Sequence, residues 1–299
     1  MRAVVFDQFG PPSVLRLADL PDPVPGPGQV RVRVRAAGVQ PFDVAVRLGR
    51  MPWAKVSFPQ TIGQEYAGVV DRVGEGVDGF VAGDAVLGST MFNGASELIV
   101  VPATDVVMKP ESLDFSTAAA LVAASQTASG SLRELKIQES DVLLVHGAAG
   151  SVGTVATQLA RLAGATVIGT ASPANHERLR EMGAIPVAYG PGLVDAVRAT
   201  GMRPTVALDT AGGVALAQSA ELGIPRDRIG TIADDKAAAE VGARVVRAGR
   251  DPKRLAEVID LAARGKVTIR VRTFPLDRIA DAHAAVESRH SGGKVVVIL

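Results

Sequence analysis

The chain has 299 residues, 47% hydrophobic and 21% charged, with a formal net charge of +1. That is a globular composition, and the near-neutral balance gives no electrostatic reason to expect a nucleic-acid or anionic-membrane partner. Aromatic residues make up only 4% and cysteine is absent, which argues against stacking platforms for single-stranded bases and excludes disulfides, thiolate nucleophiles, iron–sulfur clusters and thiolate-held zinc.

The first residues, Met1-Arg2-Ala3-Val4-Val5-Phe6, read as a strand and lack the basic-then-apolar build of a secretory signal. No apolar run approaches the roughly 20 residues of a membrane helix, so a soluble, cytoplasmic protein is the expectation. Up to about residue 116, short β-like runs are separated by Pro and Gly. Val30-Arg31-Val32-Arg33-Val34 alternates strictly, and residues 66–73 form a second run. The segment Pro21-Asp22-Pro23-Val24-Pro25-Gly26-Pro27-Gly28 is neither helix nor ladder strand, because proline removes donors and fixes φ. This region reads as an irregular, mostly antiparallel β domain.

From residue 117 the texture becomes alternating helix and strand. Residues 116–135 read as an Ala-rich helix, 142–145 as a wholly apolar strand and 152–162 as a helix. Strands follow at 166–169, 185–188, 206–208 and 228–232, with helices at 174–182 and 252–264. Strands apolar on both faces and separated by helices predict a doubly wound parallel sheet covered on both sides. Residues 269–274 read as a strand, 276–287 as a helix and 295–299 as a terminal strand that pairs back into the first domain.

The strand-to-helix turn Gly147-Ala148-Ala149-Gly150-Ser151-Val152-Gly153 carries the chemistry. Glycine lets the backbone approach a pyrophosphate with no Cβ in the way, and the helix behind it offers free N–H groups and a positive dipole end. Gly153 lets helix and strand pack closely. The pattern departs from a strict G-x-G-x-x-G, because Ala148 stands where the first glycine would be. A P-loop is excluded, since no Gly-Lys is followed by Ser or Thr.

An NAD site places Asp or Glu about 20 residues further on, for the ribose hydroxyls. Here Ile168-Gly169-Thr170-Ala171-Ser172-Pro173-Ala174-Asn175-His176 has no acid before Glu177. Ser172, Asn175, His176 and Arg178 either donate to a 2′-phosphate or cap and solvate a helix, with Ser172 as the cap. The first reading makes the cofactor NADPH.

The chain resembles the medium-chain dehydrogenase/reductases, in their zinc-free, quinone-oxidoreductase-like branch, over nearly its whole length. The resemblance rests on Met1 to Phe6 with Gly10-Pro11-Pro12, and on Ala37-Gly38-Val39-Gln40-Pro41-Phe42-Asp43. It continues through Gly63-Gln64-Glu65-Tyr66-Ala67-Gly68-Val69-Val70, Gly83-Asp84-Ala85-Val86, the glycine turn and Leu208-Asp209-Thr210-Ala211-Gly212-Gly213. Phe274-Pro275-Leu276 with Ala282-His283 and Gly293-Lys294-Val295 complete it. It implies a Rossmann doubly wound parallel sheet (residues 117–264) inserted in a GroES-like, mostly antiparallel β catalytic domain (1–116 and 265–299).

In zinc-dependent relatives the Gly-x-Glu motif carries a His ligand. Gln64 stands there in this chain, and an amide is a poor zinc ligand. No metal is expected. The resemblance implies reduction of quinones or activated double bonds with NADPH. It places an amide, here Gln40, near the nicotinamide and substrate, and Tyr189 beside the 2′-phosphate. Thr127, Ala211, Ile232 and Lys294 fall along the cofactor, with Lys294 alternatively solvated. The tyrosines that some members carry near Gln40 and after Thr127-Ala128 are missing, the latter position being Ser129.

Hydride transfer asks the protein mainly for distance, face and exclusion of water. Gln40 is the candidate donor to a developing oxyanion. Asp43 is the nearest motif acid, either catalytic or a turn and capping residue. Trp53, Gln64, Met91 and Phe92 are candidates to line a substrate pocket, the aromatic and Met side chains alternatively being core. Loops at 49–59 and 89–94 would set its size. Of the histidines, His146 at a strand end reads as a packed core residue or, alternatively, as a contact to the cofactor, His176 and His283 lie on helices, and His290 lies in a basic turn. A second reading, drawn from the missing tyrosines, is an altered NADP-binding protein that acts as a tailoring or interacting partner in secondary metabolism. A homodimer joined along the strand near 243–246 is expected, with a small molecule as the other partner.

Overall fold

The computed structural model describes residues 1–247, 249–288 and 291–299. The chain divides into two units: Met1–Ala123 with Asp251–Arg264 and Ile269–Leu299, and Ala124–Arg250 with Gly265–Thr268.

The first unit opens with β1 (Arg2–Phe6), β2 (Arg16–Asp19), β3 (Gln29–Val39), α1 (Pro41–Arg47), β4 (Gln60–Thr61), β5 (Glu65–Val73), β6 (Ala85–Ser89), β7 (Leu98–Pro102) and β8 (Val106–Met108). β1 pairs antiparallel with β2 and β4. β3 is the hub of the larger sheet and pairs antiparallel with β5 and β7. Its alternation buries Val30, Val32 and Val34 among Val4, Phe6, Ile62, Tyr66 and Ile99. Arg31 breaks the expected outward pattern and is buried. Its guanidinium donates to both oxygens of Asp71 and to Pro23 O at 3.0 Å, which ties the proline-rich segment to the sheet.

Helix α2 (Phe115–Glu134) carries the chain into the second unit. There follow β9 (Val142–His146), α3 (Ser151–Leu162), β10 (Thr166–Ala171), α4 (His176–Glu181), β11 (Ile185–Ala188), α5 (Leu193–Ala199), β12 (Val206–Asp209), α6 (Ala215–Glu221), β13 (Ile229–Thr231), α7 (Asp235–Val241) and β14 (Arg244–Val245). The six strands are parallel, in the order β11-β10-β9-β12-β13-β14. This is the doubly wound class that the two-faced apolar strands predict: Leu143, Leu144, Val145, Val206, Ala207 and Leu208 are all buried. The chain moves outward from β9 in both directions, so the C-terminal ends of β9 and β12 form the switch point where ligands bind in such sheets.

The remaining elements, α8 (Pro252–Ala263), β15 (Val271–Pro275), α9 (Ile279–Glu287) and β16 (Lys294–Ile298), belong to the first unit. Asp251 caps α8 by accepting from the N–H groups of Lys253 and Arg254, with Pro252 at the first helical position. β16 pairs antiparallel with β3 and parallel with β15, the predicted return of the last strand. β15 begins later than its apolar spacing predicts. Gln158 holds Thr268 in the second unit, donating to its carbonyl at 2.8 Å and accepting its N–H at 2.9 Å. Among the described residues, no helix is long and apolar enough to cross a membrane.

Candidate functional site

The glycine turn of the second unit lies at the end of β9 and is laced to its neighbours. Gly147 and Ala148 donate to Thr170 Oγ1 and O of β10 at 3.1 and 3.0 Å. On the other side the Thr210 hydroxyl donates to His146 O at 2.7 Å. Gly147 has φ +74°, and a Cβ there would meet Thr210 Oγ1 at 2.7 Å. At Gly153 a Cβ would fall 2.3 Å from Gly147 O, so glycine is what lets α3 pack onto the turn. The departure at Ala148 is explained here. Its methyl is buried against Gly169 of β10, and the left-handed residue is Gly147, one position earlier.

Helix α3 starts after Gly150, which has no side chain to cap it. The N–H groups of Ser151, Val152 and Gly153 therefore have no intrahelical acceptor and lie at the positive end of the helix. This bare cradle fits a pyrophosphate.

The end of β10 is built from donors. Asn175 Nδ2 donates to Ser172 Oγ at 3.0 Å, and His176 Nε2 lies 3.3 Å from Ala171 O. Ser172 makes no side-chain cap bond. Arg178 reaches from α4 to Ala149 O and Thr154 Oγ1 at 3.4 and 3.1 Å, placing its guanidinium beside the glycine turn. Glu177, the first acid, is exposed and paired with Arg180 at 2.9 Å. Tyr189, 63% exposed, directly follows β11. Thr127 is half-buried on α2.

Two further loops are fixed by one residue, Asp209, that the sequence does not mark as functional. Asp209 Oδ1 accepts from the N–H groups of Ala211 and Gly212 at 2.8 and 2.9 Å. Its carbonyl accepts from Ile232 at 3.0 Å. The signal was there in Leu208-Asp209-Thr210-Ala211-Gly212: an acid at a strand end ahead of a glycine turn is a loop-capping pattern. His146 is core. Its Nε2 lies 2.9 Å from Ser219 Oγ, and burial pushes its pKa down to about 4 against the opposing charge of Asp209.

The other candidates lie in the first unit. Gln40 is the N-cap of α1, and its N–H donates to Asp43 Oδ2 at 2.9 Å, so Asp43 caps the helix. The Gln40 side-chain Nε2 is buried with no acceptor among the described residues. Gln64 is buried and donates to Met91 Sδ at 3.6 Å. Phe92 takes a left-handed φ of +64° and stacks on Phe42 with ring centroids 6.1 Å apart; Trp53 lies 5.5 Å from Phe42 on its other contact. Trp53 and Met91 are 63% and 50% exposed, so they form surface rather than core. Lys294 is buried: its ammonium pairs with Glu65 and donates to Val39 O at 3.2 Å. His283 is buried on α9, and His290 lies outside the described residues.

Residues 26–111 match the alcohol dehydrogenase GroES-like domain family, and residues 187–297 match the zinc-binding dehydrogenase family. The chain is 37% identical to the quinone oxidoreductase of Sus scrofa over 174 residues, 57% of this chain and 53% of that protein. The match thus spans about half the length of that relative. The quinone oxidoreductase of Coxiella burnetii superposes over 100% of this chain and 99% of its own with a TM-score of 0.89 at 28% identity. The Escherichia coli quinone oxidoreductase complexed with NADPH covers 100% of both chains with a TM-score of 0.88 at 25% identity.

Proposed function

Because the chain belongs to the medium-chain dehydrogenase/reductase superfamily, in its quinone-oxidoreductase-like branch, we propose that it is an NADPH-dependent, zinc-independent oxidoreductase that reduces a quinone or an α,β-unsaturated carbonyl compound. The observation that carries the cofactor is the second unit's bare cradle at Gly147–Gly153, followed by a β10 end with donors and no acid. The N–H groups of Ala149 and of Ser151 to Gly153 would hold the pyrophosphate. Ser172, Asn175, His176, Arg178 and Tyr189 would take the 2′-phosphate, which a carboxylate in place of Ser172 would repel. Thr127, Ala211 and Ile232 would line the remainder. NADPH, when bound, supplies the hydride.

The first unit supplies the acceptor's environment. Gln40 Nε2, a buried donor without an acceptor, is suited to the carbonyl oxygen on which charge develops. Asp43 holds Gln40 by capping α1 and acts as a positioning group rather than an acid. Trp53, Phe92 and Met91 form an apolar wall, with Gln64 fixed by its bond to Met91. The proton comes from water. Zinc does not suit this donor set of two amides and a thioether in a chain without cysteine. A homodimer pairing along β14, the last strand of the six-stranded sheet, is part of this reading.

Stopped-flow oxidation of NADPH against a panel of quinones and enals tests the reading. Turnover with NADPH well above NADH is expected. Tight NADPH binding with no turnover of any acceptor overturns it in favour of a binding protein.

A further inference from the structure

Glu65 and Lys294 form an ion pair that is withdrawn from solvent, with their side chains 0% and 6% exposed. Glu65 Oε2 also accepts the Ala123 N–H at 2.8 Å, and Lys294 Nζ also donates to Val39 O at 3.2 Å. The carboxylate lies over Gly38, where a Cβ would fall 2.1 Å from Oε1; the glycine makes room for it. Four segments meet at one pair: the end of β3, the start of β5, the start of β16 and α2.

A buried ion pair is a weak source of net stability, because desolvation cancels most of the attraction. Its position suggests a different use. Val39, whose carbonyl Lys294 holds, directly precedes Gln40. Glu65 directly follows Gln64. The pair is therefore tied to the backbone one residue from each candidate amide, where β3 ends before Gln40 and where β5 begins after Gln64. We propose that Glu65 and Lys294 are positioning residues that set the Gln40 and Gln64 amides, while Asp43 from α1 and Met91 from the loop after β6 complete the alignment. The catalytic consequence rests on the function proposed above; the positional one does not.

Removing one charge leaves the other buried and alone, so single neutral variants lose stability whatever the pair does. The informative variant is Glu65→Gln with Lys294→Met, in which no charge is stranded. Side-chain 15N–H2 signals of Gln40 and Gln64, assigned with Gln40→Ala and Gln64→Ala, are expected to shift in the double variant while NADPH affinity holds. With the best acceptor, kcat falls by up to the order of 10²-fold with little change in KM for NADPH, the cost of an ångström-scale misplacement. Lys294→Arg on the wild-type background, which keeps the charge and a donor, is expected to move the amide signals less than the double variant does.

Glu65→Asp, which keeps the charge and withdraws the carboxylate by one methylene, gives the same shift on a smaller scale and covers the case in which the double variant does not fold. Unchanged Gln40 and Gln64 signals in either folded variant overturn the proposal, as does full kcat in the double variant. Wild-type protein that reduces no acceptor overturns the proposed function instead, and the amide signals then still decide the positioning.

Discussion

The hydroxyl of Thr231 donates to Asp209 Oδ2 at 2.6 Å, with both residues fully buried. The same hydroxyl oxygen accepts the N–H groups of Ala233 and Asp234 at 2.9 and 3.1 Å. One contact thus fixes the loops after β12 and β13, which carry Ala211 and Ile232. Thr231→Val keeps the shape and removes the hydroxyl, leaving two N–H groups and a carboxylate oxygen unmatched. Stability is expected to fall by roughly 2–3 kcal/mol, and NADPH affinity by about tenfold, or 1.4 kcal/mol. Urea melts and calorimetric titration measure the two; a variant that binds NADPH as tightly as the wild type refutes the link from this pair to the cofactor loops.

Gly153 and Gly150 separate packing from binding. A Cβ at Gly153 would meet Gly147 O at 2.3 Å and Ala148 Cα at 2.7 Å, so Gly153→Ala pushes α3 off the turn. Overpacking of this kind costs about 1–3 kcal/mol, and NADPH binding falls with it. Gly150 is exposed, with φ −71° and its nearest prospective contact at 3.2 Å. Gly150→Ala should leave the melting temperature nearly unchanged and still weaken NADPH, because the methyl stands where phosphate approaches. Equal losses of stability in the two variants would show that the turn is tuned for packing alone.

The difference between these glycines marks how much the sequence reveals. Alternating apolar strands and helices identify the parallel sheet, since two-faced burial leaves a continuous Val/Leu/Ile run such as 142–145. The turn is legible for the same reason, although which glycine takes the positive φ depends on Ala148 filling space against Gly169. What periodicity does not carry is pairing between distant segments. Lys294 reads as a cofactor or solvated lysine because nothing local marks Glu65 as its partner. Gln158 seizing Thr268 likewise delays β15 without any local signal. Gln40 is legible as an amide at a helix start, but that its Nε2 is buried without an acceptor follows only from the packing around it.

Ser172 provides the test of nucleotide choice. Its hydroxyl accepts from Asn175 at 3.0 Å at the end of β10, where an acid would otherwise hold the ribose diol. Ser172→Asp introduces a carboxylate that accepts from 2′- and 3′-hydroxyls and repels a 2′-phosphate. NADPH affinity is expected to fall by about tenfold or more, with NADH binding improved, a shift of at least ~1.4 kcal/mol between the two. Parallel titrations with both nucleotides measure it, and an unchanged ratio places the 2′-phosphate away from Ser172.

Two buried histidines set the acid limb of stability. Burial pushes His146 down to about 4, with Asp209 opposing, and pushes His283 down to about 3, with the Arg47 charge adding to the effect. Both rings stay neutral in the folded chain, whereas in the unfolded chain they protonate near the ordinary value of 6.5. Below that value the unfolded state binds more protons, so folding stability is complete above about pH 6.5 and declines as pH falls towards 4 and 3. At pH 5, some 1.5 units below the unfolded value, each ring is expected to remove about 2 kcal/mol. Urea melts between pH 7.5 and 5 should therefore show the histidine uptake on unfolding rise from near zero to close to two protons at pH 5, beyond that of the carboxylates. His283→Asn should reduce that uptake by about one, and His146→Asn by another. If either substitution leaves the pH slope as it is in the wild type, that ring is charged in the fold, and the packing around it is more open to water than the structure shows.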